Sequence, residues 1–191
     1  MITLAAARRA MRRHRPRTVT APDAQPAAVA LILVDGAAGL EALFIHRAER
    51  AGDPWSGQVA LPGGRRDPHD ADLLATAIRE TREETGVELG AAERLGALDD
   101  LHPRTPTLPP VVVRPFVFGL GERPTLTPSP EVQGAFWLAL GSLAEPGVRQ
   151  ELTLTVQGTP RTFPAYRVRE GLIWGMTERI LTPFLQRVDA V

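Results

Sequence analysis

Runs of apolar and polar positions divide the chain into recognisable elements. Ala27 to Val34 is almost continuously apolar, the pattern of a strand buried on both faces. Asp35-Gly36 opens a turn, and Glu41 to Arg47 reads as a second strand, so the pair predicts a hairpin. A polar loop runs to Ser56, and Gly57 to Leu61 predicts a short strand leading to a Pro62-Gly63-Gly64 loop. Helical spacing of apolar residues follows from about Ala71 to Thr85, stopping at Gly86, with Asp70 or Asp72 placed to cap its start. Arg94 to Leu101, Val111 to Leu120 and Ala135 to Leu138 read as strands. Glu151 to Val156 and Arg161 to Ala165 predict a hairpin across Gly158. A last helix is predicted from about Ile173 to Val188, burying Leu181, Phe184, Leu185 and Val188, with Pro183 as a source of a kink. Trp137 and Trp174 read as core residues. This order of elements predicts an α/β fold with a mixed sheet between helices.

Residues 1–25 stand apart as an Arg-rich N-terminal helix and linker, preceding a domain over residues 26–191. Six arginines lie between Arg8 and Arg17, and the first acid is Asp23. One reading is a transit peptide. The plainer one is a helix from about Leu4 to Arg13 with a solvated basic face, followed by a Pro-rich linker.

Composition narrows the chemistry. The 191 residues suit one domain with a real core, and the formal net charge is zero, so no global field favours nucleic acid. Cysteine is absent, which excludes disulfides, thiolate metal sites and a cysteine nucleophile. No apolar run approaches the roughly 18 residues needed to span a bilayer, so a cytoplasmic protein with no membrane partner is expected. All 22 basic residues are arginine, which excludes P-loop and Schiff-base lysines and suggests a GC-rich, bacterial coding bias.

The informative stretch is the helix ending Arg79-Glu80-Thr81-Arg82-Glu83-Glu84-Thr85-Gly86. Glu80, Glu83 and Glu84 are spaced i, i+3, i+4 and project from one face. Leu74, Ala77, Ile78, Thr81 and Thr85 form a second stripe that can pack on a sheet while the acids look into a cleft. Three carboxylates this close repel one another, and a hard cation such as Mg²⁺ turns that repulsion into binding. Arg79, one turn before Glu83, can neutralise and orient the acids. Gly63 and Gly64 can bring backbone amides or carbonyls close to a metal or a phosphate.

These residues resemble the Nudix hydrolase box: Gly, five residues, Glu, seven residues, then Arg-Glu-U-x-Glu-Glu-x-Gly-U, where U is a bulky aliphatic. Arg79, Glu80, Glu83, Glu84, Gly86 and Val87 match it. Thr81 replaces an aliphatic residue, and the stretch from Gly64 to Arg79 is one residue longer than the box. Counting forward from Gly64 puts Asp70 where the first Glu belongs, and counting back from Arg79 puts Ala71 there. The resemblance implies a Nudix fold, an α/β/α sandwich with a mixed β-sheet. It also implies Mg²⁺ or Mn²⁺ bound by Glu80, Glu83 and Glu84, with Gly64 beside the metal.

The wider chain is similar to the coenzyme A diphosphatase branch of that family. The segments that carry the likeness are Gly57 to Pro68 and Ile173 to Leu181, with Pro115, Glu131-Val132 and Phe136-Trp137. The expected reaction is hydrolysis of the diphosphate in coenzyme A or its thioesters, giving 3′,5′-ADP and 4′-phosphopantetheine. Alternatives are NADH, ADP-ribose, dinucleoside polyphosphates or oxidised nucleotides as substrate, or a Nudix-shaped binding module without catalysis. Glu83, Glu84 and Glu131 are candidate proton acceptors, and Arg79 supports them. Gly63, Gly64, Arg65, Arg66, Arg47 and Trp55 are candidate substrate contacts, the arginines through their affinity for phosphate and Trp55 by stacking on adenine. Each of these also has a surface reading. Where the branch usually carries an Arg and a His, this chain has Asp53-Pro54-Trp55-Ser56, so Arg47 or Arg50 would have to supply any missing grip. The partner is a small-molecule nucleotide, with a homodimer left open.

Overall fold

The hydrophobic segments assemble around one mixed sheet. In the computed structural model, residues 2–48, 58–103 and 109–190 are described. The central strand β1 (Gln25–Gly36) pairs antiparallel with β2 (Gly39–Arg47) through a tight hairpin and parallel with β6 (Val111–Leu120). Short strands β3 (Val59–Ala60) and β4 (Gly63–Arg65) add to β2 and β1. β5 (Glu93–Ala97) lies outside β6, and β7 (Val132–Ala139) lies outside β2.

Because β1 is covered on both sides, its residues are buried in alternation against two different layers. Ala28, Ala30 and Ile32 pack with Ala77 of α2 (Leu73–Thr85) and with Val87 and Leu89, which follow it. Leu31 and Leu33 meet α1 (Leu4–Arg13) and α3 (Met176–Asp189). The result is the expected α/β/α sandwich. A separate three-stranded sheet, β8 (Arg149–Val156), β9 (Thr159–Val168) and β10 (Gly171–Trp174), is joined to it where His46 donates from Nε2 to the Glu170 carbonyl.

The Arg-rich start is folded onto the domain. α1 spans the predicted residues, with Thr3 as its N-cap. Its apolar side, including Ala7, Ala10 and Met11, is buried in the same core as Phe184 and Val188, while Arg9, Arg12 and Arg13 face solvent. The linker after it is stitched down: Arg17 N–H donates to Asp99 at 3.0 Å and Val19 N–H to Asp100 at 2.9 Å.

Four expectations change. The Gly63-Gly64 stretch is a strand against β1 rather than a loop. Gly63, at φ +151°, lies so close to β1 that a Cβ would sit 2.3 Å from the Ala28 carbonyl oxygen. The strand predicted to Leu101 ends at Ala97, after a register shift between Arg94 and Gly96, and Leu101 keeps only an isolated bridge to Val113. The last helix begins at Met176, because Ile173-Trp174 pairs with β9 and Gly175, at φ +65°, breaks the strand. Trp137 and Trp174 are only partly buried, and Trp174 rests against Phe163 with ring centroids 5.9 Å apart. Trp55, Arg50 and the loop around them lie outside the described residues.

Phe184 is fully buried where α3 meets the α1 layer. Phe184→Ala is expected to lower unfolding stability by about 3–5 kcal/mol, read by urea titration of circular dichroism.

Candidate active site

The site is built where α2 crosses β4. Asp72 starts the helix, its side chain accepting from Ala75 N–H at 2.8 Å, and Gly86 ends it in the left-handed region at φ +74°. Ala77, Thr81 and Thr85 face the sheet; the Thr81 hydroxyl is satisfied by donating to the Ala77 carbonyl at 2.7 Å. That leaves Arg79, Glu80 and Glu83 on the side toward β4, with Glu84 turned inward.

Asp70, the other candidate cap, does something different. Its carboxylate is buried and receives Arg79 as a fork, Nε to Oδ1 at 2.9 Å and Nη2 to Oδ2 at 2.9 Å. Thr76 Oγ1 and Asp67 N–H also donate to Oδ2, each at 2.9 Å. The Arg79 guanidinium, with these bonds, holds Asp70 far below the usual carboxylate range. Asp70 is thus the acid that anchors the box arginine. An aspartate is one methylene shorter than a glutamate, and the loop that carries it is one residue longer than the pattern it resembles.

Arg79 then reaches the acids. Its Nη1 donates to Glu80 at 2.9 Å and to Glu83 at 2.9 Å, and its Nη2 to the Arg65 carbonyl at 3.3 Å. Glu80 packs directly against Gly64: a Cβ there would lie 2.5 Å from the Glu80 carboxyl carbon, so a larger residue would push the carboxylate out of this position. Glu84 is buried and accepts the Gly63 N–H at 2.8 Å. Burial pushes Glu84 up to about 7, against the pull of that N–H; the charges of Glu80 and Glu131 push the same way. Burial likewise raises Glu80, opposed by Arg79, with Glu83 and Glu131 adding repulsion.

Glu131 is delivered by the segment before β7. Thr127 N–H donates to the Thr85 carbonyl at 2.8 Å and Ser129 N–H to the Glu84 carbonyl at 3.2 Å, so the end of α2 holds this segment in place. The structure brings Glu131 near enough for its charge to act on Glu80 and Glu84, and Arg47, at the end of β2, acts on Glu84 in the opposite sense. Arg65 is exposed on β4. Arg66 is engaged locally, donating to the Asp70 carbonyl at 3.0 Å and the Ala71 carbonyl at 3.1 Å.

The three box acids do not share one open cleft as expected. Glu84 points under β4, while Glu83 stays 45% exposed on the Arg79 side. Among the described residues, no group of three His, Asp or Glu side chains is arranged to hold a metal ion. The donor set still fits a hard divalent cation. It consists of carboxylate oxygens on adjoining turns of α2, two of which, on Glu80 and Glu84, are pushed toward protonation by burial and neighbouring acids, while Glu83 is the most exposed of the three. The sequence pattern offered Asp70 only as a helix cap or as the stand-in for the first Glu, and gave no sign of its bonds to Arg79, of the Gly63–Glu84 bond or of the Thr127–Ser129 tether.

Comparison with known proteins identifies the family of the domain. The NUDIX domain family profile matches residues 24–156. The mouse mitochondrial coenzyme A diphosphatase NUDT8 is 32% identical over 174 residues, covering 89% of this chain and 80% of that protein. The Nudix hydrolase NudL of Photorhabdus laumondii, itself uncharacterised, is 32% identical over 70% of each chain. A crystal structure of a MutT/nudix family protein from Enterococcus faecalis superposes with a TM-score of 0.58 at 21% identity, covering 99% of this chain and 76% of that one.

Two measurements check the anchor. Asp70→Asn is expected to cost about 2–3 kcal/mol of stability at neutral pH. Because the folded pKa of Asp70 is depressed, its contribution is complete above about pH 4 and fades as pH falls below that. The gap between wild type and variant in urea midpoints should therefore narrow toward pH 2. Asp70→Glu alone should impair the Arg79 fork, and deletion of Ala71 in that background should restore stability toward wild type.

Proposed function

The chain belongs to the Nudix family and is a Nudix hydrolase; from that premise we propose that it cleaves the diphosphate linkage of coenzyme A or its thioesters. The products are 3′,5′-ADP and 4′-phosphopantetheine. The observation that carries the substrate assignment is the 32% identity to a mitochondrial coenzyme A diphosphatase across 89% of this chain.

Glu80, Glu83 and Glu84 would hold Mg²⁺ or Mn²⁺, with the chain approaching most closely at Gly64. Such a cation, when bound, lowers the pKa of a water and offsets charge building on the phosphoryl oxygens. The residues themselves have distinct duties. Arg79, fixed by Asp70, sets the orientation of Glu80 and Glu83. The Gly63 N–H fixes one oxygen of Glu84 and leaves the other to a ligand. Glu83, Glu84 and Glu131 are the groups able to take the proton of the attacking water, since each carboxylate borders the same acidic cluster. Arg47 and Arg65, at strand ends flanking that cluster, suit the phosphates, as guanidinium forks pair well with phosphoryl oxygens. Trp55 is proposed to stack on adenine. The intact carboxylate set on α2 favours a hydrolase over a binding module that has lost catalysis.

Incubation with coenzyme A and Mg²⁺ or Mn²⁺ is expected to yield the two products by mass spectrometry. NADH, ADP-ribose, diadenosine polyphosphates and oxidised nucleoside triphosphates should be cleaved more slowly. A preference for one of these would overturn the coenzyme A assignment and leave the hydrolase assignment standing. Glu83→Gln and Glu84→Gln should each lower kcat on the order of a hundredfold or more with the fold retained.

A further inference from the structure

His46 stands outside the acidic cluster, yet it secures the strand end that presents Arg47. Along a strand, alternate residues face opposite layers. In β2, Leu43 packs on the α2 side of the sheet and Phe44 on the side of α1 and α3. Continuing that alternation puts His46 on the Phe44 side and Arg47 on the α2 side, where its charge acts on Glu84. Neighbours in the chain thus work on opposite faces of one sheet.

The backbone is irregular at this point. β3 supplies two residues, and its ladder with β2 ends at the His46–Val59 rung. On the other side His46 pairs with Gly134 but Arg47 pairs with Val132, so Gln133 is an extra residue on β7. Such a bulge bends the ladder and re-aims the side chains beside it. Two backbone bonds span it: Arg47 N–H donates to the Gln58 carbonyl at 3.1 Å, and Ala48 N–H to the Glu131 carbonyl at 3.2 Å. These bonds hold the strands at their spacing, while rotation of the strand end is resisted by side chains packed on its faces. His46 is placed to resist it. Its Nε2–H donates to the Glu170 carbonyl in the turn between β9 and β10, and its ring meets Phe136 of β7 edge-on, with centroids 5.9 Å apart. Phe136 in turn stacks on Phe44. The turn closes around the ring: a Cβ at Gly171, at φ +139°, would lie 3.4 Å from His46 Nε2 and 3.3 Å from Val59 Cγ2.

We infer that His46 is a positioning residue for the proposed hydrolysis: held by the Glu170 carbonyl on one face of the sheet, it sets the angle at which Arg47 meets a phosphate on the other. The inference rests on the hydrolase reading and on Arg47 as a phosphate contact. It gives the three-stranded sheet a part in the reaction, since the turn between β9 and β10 is the seat of His46.

Three substitutions in the full chain test this. His46→Leu and His46→Asn remove the bond, the second because its amide stops short of the carbonyl, whereas the amide of His46→Gln can reach it. Assays use Mg²⁺ and the nucleoside diphosphate derivative that the unaltered chain hydrolyses. His46→Leu and His46→Asn should raise KM about tenfold and change kcat by less than about threefold, and the calorimetric affinity for ADP should fall in step with KM. His46→Gln should return KM to within about threefold of wild type. In an Arg47→Ala background, His46→Leu should have less than about a twofold further effect, because the side chain it aims is gone. Unchanged KM and ADP affinity in His46→Leu or in the milder His46→Asn, no rescue by His46→Gln, or effects that multiply with Arg47→Ala would overturn the inference. A wrong coenzyme A assignment shows separately, as a different substrate preference of the unaltered chain.

Discussion

The arrangement of the acidic site rests on one guanidinium. Arg79 is shared by Asp70, Glu80 and Glu83, and it also bonds the carbonyl of Arg65. A planar cation with several fixed donors can serve all of these at once, which a point charge on a flexible stem cannot. Through it, the loop before α2, strand β4 and the last two turns of α2 are fixed relative to one another. Without such a tie, carboxylates this close would spread apart by mutual repulsion.

The second constraint is steric. β4 approaches β1 so closely that Gly63 tolerates no Cβ, and a Cβ at Gly64 would displace the Glu80 carboxylate. The same closeness lets the Gly63 N–H reach Glu84, making a buried carboxylate tenable by giving it a donor. Burial and neighbouring acids nonetheless leave Glu84 with an unusually high proton affinity. A site that strains to keep its charges is one that gains when a cation arrives.

The two faces of the sheet divide the chemistry. β1 and β6 form the shared floor: one face offers Ala28, Ala30 and Phe118 to α2, and the other offers Leu31, Leu33 and Val117 to α1 and α3. Carboxylates gather on the first side, while on the second Asp99 and Asp100 are paired with arginines.

Much of this was legible in the chain. Apolar runs located β1, β2 and β6 and the spans of α1 and α2, because burial on a sheet or a helix face imposes a period that local sequence must carry. The i, i+3, i+4 spacing placed Glu80, Glu83 and Glu84 on adjoining turns, and the family pattern followed from residues within one helix. What only the tertiary structure decided were pairings between segments: β4 forming on β1, Asp70 choosing Arg79 over the helix cap, Glu131 arriving by the Thr127–Ser129 tether, and Arg17 crossing to Asp99. Helix and strand periods are local. The partner of a charged or hydrogen-bonding group depends on which distant segment the core packs beside it, and no spacing along the chain records that choice.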